Sequence, residues 1–290
     1  MAPTLIVVGD VMLDVSVAAD RLATGGDVHG DVRVSPGGSG ANAAVWAAAA
    51  GARVRLFGRV GDDLAGRLLR QALAERRVEP VLSVDGAART GAMLVVREVG
   101  ERSMVADRGA NASLTPEDLP DRLEADAVLV SAYLLFDPGS EAAAREALRR
   151  AVAPLVAVDA ASWPLLRAFG AERFLEATSA ATVLLANHQE SFALTGLNAE
   201  ESARALSADY AVCCIKLGAE GAIVVARAGA RTERAPSPTV EEVDPTGAGD
   251  AFDGAFLAAF AGGASLRASL ETGCLAGSNA AGTASSWPAT

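Results

Sequence analysis

At 290 residues, with 51% hydrophobic and 21% charged residues, the chain is long enough to bury one large core. Its formal net charge of -11 argues against nucleic acid or an anionic membrane surface as partner. Apolar stretches such as "VSPGGSGANAAVWAAAAGA" are broken by Gly, Ser, Asn and Pro, and the first residues lack the basic and apolar regions of a signal peptide, so a soluble cytoplasmic protein with no membrane partner is expected.

"TLIVVGDVMLDV" opens as an apolar strand ended by Gly9 and Asp10, expected inside a sheet. The stretch through "DVHGDVRVSP" alternates apolar and polar residues and suits a half-exposed strand. "GANAAVWAAAAGA" reads as an Ala-rich buried helix ending at Gly51, "RVRLFGRVG" as a strand, and "DDLAGRLLRQALAERRV" as an amphipathic helix capped by Asp62 or Asp63. "ARTGAMLVVREVGERSMVAD" reads as two strands around a turn at Gly100. Beyond it, strands ("DAVLVSAYLL", "PLVAVDAA", "ATVLLANHQE", "YAVCCIKLG", "GAIVVARAG") alternate with helical stretches ("SEAAAREALRRAV", "AERFLEATS", "EESARALSA"). That alternation predicts a largely parallel α/β sheet with helices on both faces, and the chain from Asp244 reads as two further helices.

Cysteines at 213, 214 and 274 have no CxxC spacing, and the histidines are His29 and His188, which speaks against a zinc site or a disulfide framework. "DPTGAGDAF" at 244–252 precedes a helix, so Gly247, Ala248, Gly249 and Asp250 are expected to present backbone N–H groups at the positive end of the helix dipole, an anion site. The helix N-terminus is expected to keep Asp250 ionised and able to accept a proton beside a bound phosphate; the alternative is an ordinary capping aspartate. "PGGSGANAA" matches GxGxxA at Gly38, Gly40 and Ala43, but it follows a polar strand rather than the first buried one, which makes it a decoy for a dinucleotide fold. No GxxxxGK[ST] occurs, which excludes a P-loop.

"PGGSGANAAVWAAAAGARVRLFGRVGDDLAG" and "DPTGAGDAFDGAFLAAF" together resemble the two signature regions of the ribokinase-like (PfkB) carbohydrate kinases, in the right order and separation. The resemblance implies one ribokinase-like domain over 1–290, with a central, mostly parallel sheet flanked by helices and a small β-lid from about 15–36 and 88–107. It implies transfer of the γ-phosphoryl of ATP to a hydroxyl of a sugar or sugar acid, with a nucleoside kinase as the alternative and a non-catalytic sugar or nucleotide sensor as the rival from another class. By position, Asp250 is then the general base and the Gly247, Ala248 and Gly249 amides the anion hole. Asp14, Gly38 and Asn42 match substrate contacts; for Asp14 a turn residue and for Asn42 a helix cap are the plain alternatives. Asn187 and Glu190 in "NHQE" match the family's N-x-x-E motif, which places Mg²⁺ through water. Lys216, Gly218 and Gly221 in "KLGAEG" resemble the nucleotide-side motif, although a solvated lysine at a strand end reads as well. Asn279 falls near the expected adenine helix, in an uncertain register, because "ASSWPAT" departs from the family's ending and leaves a monovalent-cation site open. Ser39 stands where ribokinases carry lysine, and "SAYLLFDPG" has no glutamate, so ribose is not favoured. Pro245 stands for the commoner threonine. The family's lids often pair, so a homodimer through the lid is a further expectation.

Overall fold

The computed structural model describes residues 1–20, 25–98, 101–226 and 231–289. The chain runs through β1 (Thr4–Val8), β2 (Met12–Ala18), β3 (Asp31–Gly37), α1 (Ser39–Ala49), β4 (Arg53–Gly61), α2 (Leu64–Glu75) and β5 (Val78–Asp85). Then come β6 (Gly91–Glu98), β7 (Glu101–Asp107), β8 (Leu123–Glu124), β9 (Ala127–Ser131), α3 (Glu141–Arg150), β10 (Ala151–Val152) and β11 (Leu155–Asp159). The remainder is α4 (Trp163–Phe169), α5 (Ala171–Ala177), β12 (Val183–Asn187), α6 (His188–Thr195), α7 (Ala199–Leu206), β13 (Val212–Lys216), β14 (Ala222–Ala226), β15 (Arg231–Ala235), α8 (Ala248–Ala261) and α9 (Leu266–Ala281).

Nine strands form one sheet in the order β15-β14-β13-β12-β11-β9-β1-β4-β5, parallel except at the β13–β14 and β14–β15 pairs. Its middle strands are short, nearly continuous apolar runs because both faces are covered. Alternation along each strand divides the core in two. Leu5 and Val7 join the cluster containing α1, α8 and α9 residues, whereas Ile6 and Val8 join that of α3 to α7.

A second sheet, ordered β3-β2-β6-β7, is built from the two stretches expected to form the lid. It pairs β2 antiparallel to β3, parallel to β6, and β6 antiparallel to β7. The turn expected at Gly100 lies outside the described residues. Asp63, not Asp62, caps α2, its side chain accepting from Gly66 N. The cysteines are buried and free, Cys213 and Cys214 in β13 as expected and Cys274 in α9. Among the described residues, no helix is long and apolar enough to cross a membrane.

Candidate active site

The parallel strands end at one edge of the large sheet, where open α/β sheets place their ligands, and that edge collects charge. Asp159 closes β11, Asn187 closes β12 and Lys216 closes β13, with Asp159 in register with Ser131 and Asn187 with Lys216. Lys216 Nζ donates to Asp253 Oδ2 at 2.7 Å and to Asp159 Oδ1 at 3.1 Å. Burial opposes the ammonium, but Asp159, Asp253 and Glu190 outweigh it and hold the lysine charged. Lys216 is therefore not the solvated strand-end lysine allowed by the sequence; it points inward, its side chain 12% exposed. Burial in turn pushes the Asp253 carboxyl up, against the pull of Lys216.

Asn187 and Glu190 form a capping box on α6. Asn187 Oδ1 accepts from Gln189 N and Glu190 N, while the two Glu190 carboxylate oxygens accept from Asn187 N at 2.7 Å and Asn187 Nδ2 at 2.6 Å. Burial, and then the Asp159 charge, pushes the Glu190 carboxyl up to about 7. Among the described residues, no three His, Cys, Asp or Glu side chains converge to hold a metal ion. With both Glu190 oxygens already accepting, this pair fits an Mg²⁺ that keeps its waters rather than one gripped directly.

Gly247 caps α8 with φ 79°, and a Cβ there would meet Ser286 Cβ at 2.7 Å. Only glycine fits this turn. The Ala248 N–H already donates to Pro245 O at 3.2 Å, so it is not free as the sequence suggested. Asp250 lies in the first turn rather than at the cap, where its Oδ2 accepts from Asn42 Nδ2 at 2.8 Å. Asn42 sits inside α1, not at its cap, and its Oδ1 accepts from Trp287 Nε1 at 3.0 Å. The expectation of a lastingly ionised Asp250 fails: burial, and next the Asp159 charge, pushes its carboxyl up to about 7.

Two cavities meet across this turn, sharing Lys216, Gly218, Pro245, Ala248 and Gly249. One, of about 240 Å³, takes in Gly218, Gly221 and the neutral face of α9 at Gly277, Ser278 and Ala281. Asn279 is exposed and outside it, a correction of one helical position: Ser278 faces the cavity instead. The other, of about 490 Å³, is lined by Asp14, Gly38, Asn42, Asn187, Glu190 and Asp250 among others. Gly38 adopts φ 94° at the start of α1, where a Cβ would come within 2.6 Å of Asp10 O. Asp14 is a strand residue of β2 rather than a turn residue, and burial, then Asp244, raises its carboxyl to about 7. Ser39 shares a 2.7 Å hydrogen bond with Ser131.

Sequence reading missed Asp159, Asp253, Asp10 and Arg108. Asp253 alone had a visible signal, standing three residues after Asp250 on one helical face.

Residues 2–287 match the family described as pfkB family carbohydrate kinase. The chain is 31% identical over 277 residues to a ribokinase of Bacillus subtilis, covering 91% of this chain and 88% of that one. It is 33% identical over 249 residues to a 2-dehydro-3-deoxygluconokinase of Thermoproteus tenax, covering 81% and 75%. Among solved structures, a ribokinase of Thermotoga maritima superposes with a TM-score of 0.84 at 25% identity, covering 99% of this chain and 96% of that one.

Proposed function

The chain belongs to the pfkB family of carbohydrate kinases, and from that premise we propose that Asp250 is the general base in transfer of the ATP γ-phosphoryl to a hydroxyl of a sugar-like acceptor. The observation that carries the reading is the junction: the two cavities meet at the α8 turn, with Asp250 on the acceptor side.

As the acceptor oxygen bonds to the γ-phosphorus, its proton passes to Asp250, the bridging P–O bond to the β-phosphate breaks, and ADP leaves. The Gly247 and Gly249 amides, with the positive end of α8, face the charge on the moving group; the Ala248 amide joins them only by leaving Pro245 O. Asn42 holds the Asp250 carboxylate in place through Oδ2, and Trp287 holds Asn42. Asp14 and Gly38 flank the acceptor in the larger cavity. Lys216, clamped by Asp159 and Asp253, stands where the two cavities join. A bound Mg²⁺ would neutralise phosphate charge, and Asn187 and Glu190 are the residues that would hold it, through water.

The four-stranded sheet serves as the lid, contributing Met12, Asp14, Met93, Met104 and Ala106 to the acceptor cavity. Its other face carries an apolar row in register, Val34, Val15, Leu94 and Val105, and this supports pairing of two copies through the lid. Asp250→Asn tests the catalytic reading. Turnover is expected to fall by about 10²–10⁴-fold while ATP affinity stays within a few fold; near-normal turnover removes Asp250 from the role of base.

A further inference from the structure

The acceptor cavity carries a charge pattern that selects among hydroxyl compounds, an argument that rests on the kinase reading. Among the described residues the cations lining it are Arg108 and Lys216, and both are committed. Arg108 Nη2 and Nε bind the two oxygens of Asp10 at 2.8 and 3.2 Å, and its Nη1 lies 3.4 Å from Asp137 and 3.3 Å from Ser140 Oγ. Lys216 is held by Asp159 and Asp253. The carboxyl groups of Asp14, Asp159, Glu190 and Asp250 line the same cavity. An acceptor bearing a carboxylate or phosphate would face these acids, and it could recruit Arg108 only by stripping Asp10, which is 3% exposed, of its partner.

Apolar side chains complete part of the wall. Register places Met93 beside Asp14 and Ala106 beside Met93 on one face of the four-stranded sheet, with Val95 and Met104 paired in the neighbouring row. Three of the chain's four methionines, Met12, Met93 and Met104, line this cavity, as do Tyr133 and Leu165. Hydroxyl-binding groups and an adaptable thioether surface lining one cavity suit a molecule with both a polyol part and a flat or greasy part.

We propose that the acceptor is an uncharged glycoside bearing an apolar or aromatic group, of the nucleoside type, rather than a sugar acid, a sugar phosphate or a bare monosaccharide. Thermal melting of the full chain with adenosine, inosine, uridine, ribose, gluconate and ribose 5-phosphate reads this directly, alongside ADP release from ATP and Mg²⁺. At least one nucleoside is expected to raise the melting temperature at about a tenth of the concentration ribose needs, with gluconate and ribose 5-phosphate weaker still. Met93→Ser and the surface-accessible Met104→Ser are each expected to weaken nucleoside binding by roughly 3- to 10-fold and to leave ribose within about 2-fold. An anionic sugar that binds more tightly than its neutral counterpart overturns the proposal, as does ribose matching every nucleoside, no nucleoside shift at all, or both methionine variants binding nucleoside normally. The two readings fail separately: nucleoside binding without ADP release sinks the kinase and spares the ligand class, whereas ADP release with gluconate spares the kinase and sinks the ligand class.

Discussion

Replacing Asp250 with asparagine should disable the enzyme and stabilise the fold. Burial and the nearby Asp159 charge move the Asp250 carboxyl from 3.8 to about 7, and at about 1.4 kcal/mol per unit this puts roughly 4 kcal/mol on keeping the group ionised in the native state. The raised pKa means that the folded state favours the protonated form. The stability so contributed is intact below the unfolded pKa near 3.8 and is lost as pH rises through about 7. Asparagine never ionises, yet its side-chain oxygen can still accept from Asn42 Nδ2, so at most about 1 kcal/mol of hydrogen bonding is at risk. Urea denaturation should therefore show Asp250→Asn more stable than the parent by about 2–4 kcal/mol near pH 8, by about half that near pH 5, and equal to it near pH 3. An asparagine variant no more stable than the parent near pH 8 would refute the account of Asp250 as a strained carboxylate.

The same shift sets the rate profile. With a base that must be unprotonated, kcat/KM should climb with pH through about 7, Asp14 adding to the same limb, and a profile flat from about pH 5.5 to 8 would contradict it. Lys216→Met leaves Asp159 and Asp253 buried without their cation and should cost about 3–5 kcal/mol near pH 8; a loss below about 1 kcal/mol in calorimetry would show the clamp to be slack. Val34→Glu with Val105→Glu should convert a dimer to a monomer in light scattering without loss of helix signal, and an unchanged mass would remove the lid face as the interface.

Of the strands of the large sheet, sequence reading overlooked β5 and β15, and both are its edges. "VEPVLSVD" carries a proline, and "RTERA" is mostly polar. Edges read poorly for the reason that makes them safe, since prolines and charges discourage pairing with other chains and erase the apolar run that marks a strand. The buried strands β1, β9, β11, β12 and β13 were legible because two-sided burial demands such a run. Asn279 was misplaced by one position; on a helix that turns a side chain about a quarter of the way round, and small-residue helices such as α9 offer no sharp apolar stripe to set the phase.

Local and long-range parts of the site separate in the same way. The α8 turn was legible because its demands are local: a glycine at positive φ, then a helix N-terminus. The Asp159–Lys216–Asp253 clamp was not, because its members come from β11, β13 and α8 and meet only when the sheet and its covering helices have closed. The ionisation of Asp250 turned on comparing the two. A helix N-terminus favours a carboxylate by about 0.3–1 kcal/mol, and that was the only effect visible in "GAGDAF". Desolvation together with Asp159 acts the other way with roughly four times the upper figure, given a carboxyl moved from 3.8 to about 7. The larger effect comes from residues far away in sequence, so the sign of the shift could be decided only after the fold had brought the acids together. A carboxyl tuned close to neutrality is the consequence, and it suits the proposed role of taking a proton from a hydroxyl and releasing it again at the end of a turnover.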